Sequence, residues 1–227
     1  EFRRVLFRSI KFPTRGRKTK FISVLKKYYD LCEDKDNTHF LISLDEDDSE
    51  MNDQHTKDVL GTYKNLTFIY GNSKSKIDAV NRDIEKFKKE WDILLLASDD
   101  MIPQTKGYDI IIKNKMNEFF PETDGILWFD DGFQGNRLNT LCILGKKYYE
   151  RFNYIYHPDY KSCWSDNEFM EVGNILKKQI YIDQVIIKHE HPDWGYGSID
   201  YVHNNNVKDW HHDNNVFQQR KSNNFYI

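Results

Sequence analysis

Asp99 and Asp100 stand side by side at the end of a short apolar run, Ile93-Leu94-Leu95-Leu96-Ala97, in the stretch WDILLLASDDM. Adjacent carboxylates repel, so such a pair persists cheaply only where water, a sugar hydroxyl or a divalent cation takes up the charge. A continuous apolar run of this length suits a strand buried on both faces. Open α/β sheets bind their ligands at the carboxyl ends of such strands. An acidic turn facing solvent would read the same way in isolation, so the rest of the chain has to decide.

Three further clusters carry chemistry. His189-Glu190-His191-Pro192 follows the apolar stretch QIYIDQVIIK. On an extended chain His189 and His191 project to one side, so both face a site, or one ligates a metal while the other orients it. In a chain that already holds Asp99-Asp100, metal ligation is the favoured reading. Ser165-Asp166-Asn167-Glu168 opens a helical pattern. Ser165 and Glu168 have capping-box spacing, which gives Glu168 a structural task and leaves Asp166 at the first helical position, where the dipole should lower its pKa. Finally, basic and glycine-containing loops recur. Pro13-Thr14-Arg15-Gly16-Arg17 offers two arginines that could fork onto a diphosphate or a base. Gly71-Asn72-Ser73-Lys74-Ser75-Lys76 feeds a helix that contains Asn81 and makes a plausible phosphate cradle. Neither GxxxxGK[ST] nor GxGxxG occurs, so a Walker or nicotinamide site is not supported.

The elements that must position these residues follow from periodicity. The end of a first strand is expected at 10–12 and further strands at 38–44, 66–70 and 93–97, alternating with helices at 18–32 and 77–89 and a short helix with loop at 49–63. The helix at 18–32 has the stripe Phe21, Val24, Leu25 and Tyr28, and that at 77–89 has Ile77, Val80, Ile84 and Phe87. The second strand runs into the acidic block Asp45-Glu46-Asp47-Asp48. Asp45 falls at its carboxyl end, where a carboxylate can accept from a nucleobase or ribose hydroxyl. Four polar exits on one sheet edge, at Thr14-Arg15, Asp45, 71–76 and Asp99-Asp100, favour a nucleotide crevice over four unrelated loops. Beyond them the pattern predicts a helix at 107–120, strands at 125–129 and 139–145, a short helix at 146–152, the helix from 165, and a strand at 179–189. Short connections there point to an antiparallel or mixed portion of the sheet. The polar tail 193–227 carries Val207, Trp210 and Phe217, which suggest a helix packing back on the body, while 204–206 and His211-His212 look solvated.

Composition bounds the rest. The chain has 227 residues, 39% of them hydrophobic, enough for one good core of α/β type. A net charge of −3 gives no basic field for nucleic acid. Cys32, Cys142 and Cys163 are scattered and odd in number. That argues against a disulfide framework or CxxC site and for a reducing, cytoplasmic setting. No apolar run reaches membrane-spanning length and no secretory signal is visible. The opening EFRRVLFRS lacks Met, and Glu-Phe is what a common cloning site encodes, so 1–9 is expected to be adapter-derived and is set aside, although it can still complete the first strand.

With these residues assembled, the chain resembles the GT-A fold glycosyltransferases, family 2-like. PTRGR after the first strand, the acid ending the second, GNSKSKIDAVN, LLLASDDM as a DxD-type motif, WSDNEF as the acidic catalytic motif and IIKHEHP as the late histidine fall in the family's order over 10–192. The resemblance implies a GT-A fold, a Rossmann-like nucleotide-binding half (10–101) and an acceptor half (102–192), with a mixed, mostly parallel sheet flanked by helices. It implies that Pro13, Thr14, Arg15, Arg17, Asp45 and Asp47 hold the nucleotide, with Lys76 and Asn81 near the ribose or diphosphate and Ser98 and Asp99 at the ribose. Asp100 with His189 or His191 would bind Mn²⁺ or Mg²⁺, and Asp166 would be the base. The implied substrates are a nucleoside-diphosphate sugar and a glycan or other hydroxyl acceptor, the latter near Trp128, Asp130 and Asp131. Ser98 replaces a third acid of many relatives, and the usual Glu-Asp pair reads Ser165-Asp166, so Glu168 stays a second candidate for the base. A metal-dependent phosphoesterase or nucleotidyltransferase, or a non-catalytic nucleotide- or glycan-binding relative, would use the same groups.

Overall fold

The computed structural model describes residues 7–86, 90–191, 195–196, 201, 204 and 208–227. In chain order the elements are β1 (Arg8–Thr14), α1 (Lys18–Leu31), β2 (Thr38–Asp45), α2 (Gln54–Gly61), β3 (Leu66–Gly71), α3 (Lys76–Asn81), β4 (Ile93–Leu96) and β5 (Met101–Pro103). There follow α4 (Tyr108–Phe119), β6 (Ile126–Asp130), β7 (Ile143–Gly145), α5 (Lys146–Tyr149), α6 (Ser165–Ile175), β8 (Gln179–Val185), β9 (Ile187–His189) and α7 (Trp210–Ser222).

The main sheet has the order β3-β2-β1-β4-β7-β6-β8, and β5 pairs with β9 in a small second sheet. β1 to β4 are mutually parallel, β7 runs antiparallel to both β4 and β6, and β8 returns parallel to β6. This is the mixed, mostly parallel sheet expected. Alternation along β1 divides the core. Ile10 and Phe12 pack with Phe21, Leu25 and Tyr28 of α1 and with Tyr108 and Met116 of α4. Leu41, Leu94 and Leu96 lie in the other cluster, with Ile77 and Val80 of α3, Phe169 and Val172 of α6 and Phe217 of α7. The stripe predicted for the first helix is therefore the buried one.

Several boundaries differ from those the pattern predicts, each for a tertiary reason. β1 begins at Arg8, so part of the segment set aside is integral to the sheet. Arg8 and Ser9 are buried, and Arg8 pairs with Asp34 at 2.8 Å. The strand also runs through Pro13, past its last pairing with β4 at Lys11↔Leu96, where a missing N–H breaks no ladder on that side. The helix expected over 77–89 ends at Asn81. Its amide is drawn to the backbone of Ile155 and Tyr156, and Asp83 takes φ +70° with its carboxylate 2.6 Å from Ser43 Oγ. The strand expected over 139–145 is confined to Ile143–Gly145, while the short helix expected within 49–63 is found at Gln54–Gly61. The single strand expected over 179–189 is two, because the register with β6 shifts at Phe129/Asp130 and the chain leaves at Ile186 to pair with β5. The tail helix exists as α7, with Phe217 buried and Trp210 40% exposed. Phe87, Pro192, Val207, Asn205 and Asn206 lie outside the described residues.

Candidate active site

The parallel register brings the carboxyl ends of β1 to β4 to one edge, and the loops there touch. Arg15 Nη1 lies 2.9 Å from Asp45 and 2.6 Å from Asp47. Arg17 Nη1 lies 3.0 Å and Lys20 Nζ 3.5 Å from Asp99. Ser73 Oγ donates to Asp45 at 2.6 Å, joining the β3 exit to the β2 exit. Gly16, at φ +65°, turns the first loop so that its N–H donates to Asp48 at 2.7 Å, a conformation that favours glycine. Pro13 is half-buried and Thr14 buried, with the Thr14 hydroxyl making no protein hydrogen bond. Burial, and next to it the charge of Asp100, pushes the Asp99 carboxyl up, against the pull of Arg17 and Lys20. The strand exits thus bring paired opposite charges together at one edge of the sheet, where a polar ligand can exchange partners.

β4 and the β5–β9 ribbon position the second group. Met101 is paired with His189, and Glu190 N donates to the Asp100 carbonyl at 2.7 Å, so the acidic turn and the late histidine share one backbone frame. His189 Nε2 lies 3.7 Å from Asp100 Oδ2, and Ser98 donates to the other Asp100 oxygen. Burial opposes ionisation of Asp100, yet His189, Ser98 and the charge of Lys76 hold its carboxyl well below the usual carboxylate range. The His191 ring stands edge-on to that of His189, 5.5 Å between centroids. His189 is therefore the histidine set directly against Asp100.

Asp166 comes from the start of α6. The capping box does not form. The N-cap is Trp164, in a left-handed conformation with no side-chain cap, and Ser165 is already helical. Glu168 is instead buried against Arg220, whose Nε and Nη2 sit 2.8 and 2.9 Å from its oxygens, and it accepts from Tyr160 Oη at 2.8 Å. Asp166 does not follow the dipole argument either. Burial raises its pKa, with the charge of Lys76 and the N–H groups of Asn167 and of Asp166 itself pulling the other way. Desolvation outweighs a partial charge at a helix end.

Lys76, the exposed first residue of α3, therefore acts on Asp100 and Asp166 together. The two helix starts are held in place by the 161–163 loop. Ile77 N donates to the Lys161 carbonyl at 3.1 Å, and buried Asp213 of α7 accepts from the N–H groups of Lys161, Ser162 and Cys163 at 3.0, 2.8 and 2.7 Å. The phosphate cradle expected at 71–76 offers mainly this lysine. The N–H groups of Lys74 and Asp78 are taken by Asp78 and Ser75, and that of Ile77 by Lys161. Asn81, expected near the ribose or diphosphate, spends its amide on Tyr156 O at 2.7 Å and on the Ile155 and Tyr156 N–H groups. Among the expected acceptor contacts, Trp128 is buried edge-on against Tyr181, Asp130 accepts from Gly132 N, and Asp131 is buried behind His189.

Sequence reasoning missed Lys20, one helical turn beyond Gly16-Arg17, and Arg82, which caps the β2 end by donating to Leu44 O and lying 3.5 Å from Asp45. Lys20 was legible as the next basic residue on the helix side of the loop. Arg82 was hidden by a helical pattern that the fold interrupts.

The donor set fits a divalent cation that is completed by its substrate. Among the described residues no three His, Cys, Asp or Glu side chains cluster as a self-sufficient metal site. Asp100 and His189 offer one oxygen and one nitrogen 3.7 Å apart. Two ligand atoms each about 2.1 Å from one ion lie roughly 3–4 Å apart, and Mg²⁺-type sites commonly use one or two protein ligands with phosphate oxygens and water.

No family model matches the sequence, and no curated protein matches it. Solved structures do. The mannosyltransferase PcManGT from Pyrobaculum calidifontis, in complex with GDP-Man and Mn²⁺, superposes with a TM-score of 0.68 at 13% identity, over 85% of this chain and 59% of that one. S. aureus TarS 1–349 in complex with UDP-GlcNAc gives 0.64 at 13% identity, over 81% and 58%. The 4-diphosphocytidyl-2C-methyl-D-erythritol synthase from Anaerococcus prevotii gives 0.53 at 16% identity, over 78% and 87%. The chain thus spans under two thirds of the glycosyltransferase structures it matches. At these identities the likeness is one of architecture, and with the parallel β3-β2-β1-β4 half and its mixed continuation it shows that this chain has the GT-A fold.

Proposed function

We propose that the chain is a glycosyltransferase that moves a sugar from a nucleoside-diphosphate sugar to an acceptor hydroxyl, with inversion and with Mn²⁺ or Mg²⁺ bound. The observation that carries this reading is the facing pair Asp100–His189, 3.7 Å apart, at the end of the buried strand β4. Two GT-A neighbours are complexes with GDP-Man and Mn²⁺ and with UDP-GlcNAc, in keeping with a nucleotide sugar and a metal.

In this reading Thr14, Arg15 and Asp45 hold the nucleoside, and Asp99, steadied by Arg17, takes the ribose. Asp100 and His189 hold the cation. When bound, it acts as a Lewis acid for the negative charge that grows on the departing diphosphate. Lys76 adds a fixed positive charge on the same side. An acceptor hydroxyl has a pKa far above neutrality, so it needs a base as it attacks the anomeric carbon. Asp166 takes that proton, the new C–O bond forms, and the bond to the diphosphate breaks with its electron pair leaving on the nucleoside diphosphate. A carboxyl raised by burial is a better base than an exposed one.

A nucleotidyltransferase is the second reading, favoured by the synthase neighbour of which the fold covers 87%. One experiment separates the two. Thermal stabilisation and turnover are measured with UDP- and GDP-sugars, with and without Mn²⁺. Metal-dependent stabilisation and release of nucleoside diphosphate support sugar transfer. Release or incorporation of pyrophosphate supports nucleotidyl transfer. Absence of any metal-dependent nucleotide binding overturns both.

A further inference from the structure

We infer that Asp131 is a positioning residue for His189, fixing the ring so that Nε2 is presented, unprotonated, to the cation beside Asp100. The inference rests on the metal-dependent reading above and adds a residue that touches neither substrate nor metal.

Asp131 follows β6 and is 2% exposed. One of its oxygens is spent on a local turn, accepting from Phe133 N at 2.8 Å and Gln134 N at 2.6 Å. The other accepts from Thr140 Oγ1 at 2.6 Å and faces His189 Nδ1 at 3.9 Å. The backbones are joined as well, because His189 N donates to the Asp131 carbonyl at 2.9 Å. His189 Nδ1 is itself buried and makes no protein hydrogen bond.

A turn alone does not call for a carboxylate here. Asparagine would accept the same two N–H groups without the cost of burying a charge. Among the described residues no lysine or arginine pairs with Asp131, and the His189 imidazole is the basic side chain set against it. The imidazole is thus held between two acids, Asp100 at 3.7 Å from Nε2 and Asp131 at 3.9 Å from Nδ1. A neutral imidazole carries one proton. If Nε2 is to ligate, that proton belongs on Nδ1, and a fixed carboxylate is the acceptor that keeps it there. At 3.9 Å the contact is of ion-pair range and longer than a hydrogen bond.

The test uses the whole chain with UDP, and separately GDP, present. Mn²⁺ affinity is measured by electron paramagnetic resonance for the protein as it is, for Asp131→Asn, for His189→Ala and for the double variant. Asp131→Asn keeps the turn acceptor but sets an amide donor against Nδ1, which favours the wrong tautomer. The expected result is Mn²⁺ binding about 10–100-fold weaker, with metal-free nucleotide binding and melting temperature near those of the parent. In the His189→Ala background Asp131→Asn should add nothing, since its effect runs through the ring. An equal loss in that background, or no loss in the single variant, overturns the inference while leaving the metal site standing. Failure of the parent to bind Mn²⁺ under any of these conditions overturns the metal reading itself. A further arm needs no variant. In ¹⁵N spectra of the Mg²⁺- and UDP-loaded protein, His189 should be protonated at Nδ1, and protonation at Nε2 would overturn the assignment.

Discussion

Arg220 reaches from α7 to grip both oxygens of Glu168, 2.8 and 2.9 Å away, so the second acid of the SDNE motif is a cross-brace and not a free carboxylate. Removing one member of such a pair strands a buried charge, which costs about 3–5 kcal/mol. Glu168→Gln should therefore lower the melting temperature by many degrees. Its effect on turnover per folded molecule should be modest, as checked by differential scanning calorimetry beside a rate assay on the folded fraction. A normal melting temperature with abolished turnover would hand the role of base to Glu168.

Asp166 is predicted to behave in the opposite way. The hydrogen bond that its carboxylate accepts from Asn167 N, at 3.0 Å, is local and survives in asparagine. Asp166→Asn should leave folding and donor binding nearly unchanged while lowering turnover by about 10²–10⁴. Lys76→Met provides a companion. The lysine charge lowers the Asp166 pKa, so its removal should move the acid limb of the turnover profile to higher pH. A profile that stays put would show that Asp166 does not govern that limb.

What could be read from the sequence divides along a physical line. The apolar run ending before Asp99 announced a buried strand and its ligand-bearing end, because a strand covered on both faces can leave an unbroken hydrophobic signature, whereas Lys11 and Ser43 interrupt it in β1 and β2. Partners far apart in sequence left no such mark. The apparent capping box at Ser165 and Glu168 is a local pattern, overridden by an arginine 52 residues later. The third helix stops at Asn81 because that amide is drawn to a carbonyl 75 residues away. His189 and His191 are equivalent on paper. The break at Ile186, which sends β9 to pair with β5, is what sets His189 against Asp100. Periodicity reports what faces the core and is silent about which distant polar group a side chain will meet.

Asp213 should prove as consequential as any residue at the site itself. Its carboxylate, fully buried on α7, satisfies three successive N–H groups of the 161–163 loop. Asp213→Ala leaves those donors without their acceptor, at about 1–3 kcal/mol for each that water does not reach. A large drop in melting temperature is expected, together with faster amide exchange at 161–163 and at Ile77, whose N–H bonds the Lys161 carbonyl. Unchanged exchange there would show that α7 does not brace the two helix starts.

Lys11 makes a prediction about pH. It is completely buried in β1, bonded to Ser43 and 2.9 Å from the Arg82 carbonyl, with Asp83 nearby. Burial lowers its pKa from 10.5 to about 7, partly offset by Asp83. Between these values the unfolded chain keeps a proton that the folded chain has given up. Stability from this group therefore rises as pH increases from about 7 towards 10.5, and the gain is absent below 7. From pH 7 to 9 the contribution should be about 2 kcal/mol. Urea titrations of the parent and of Lys11→Met at the two pH values isolate it, since other titrating groups cancel in the difference. The parent should gain on the variant as pH rises. Parallel stability curves would mean that the Lys11 ammonium stays protonated inside the sheet, with Asp83 as its buried counter-charge.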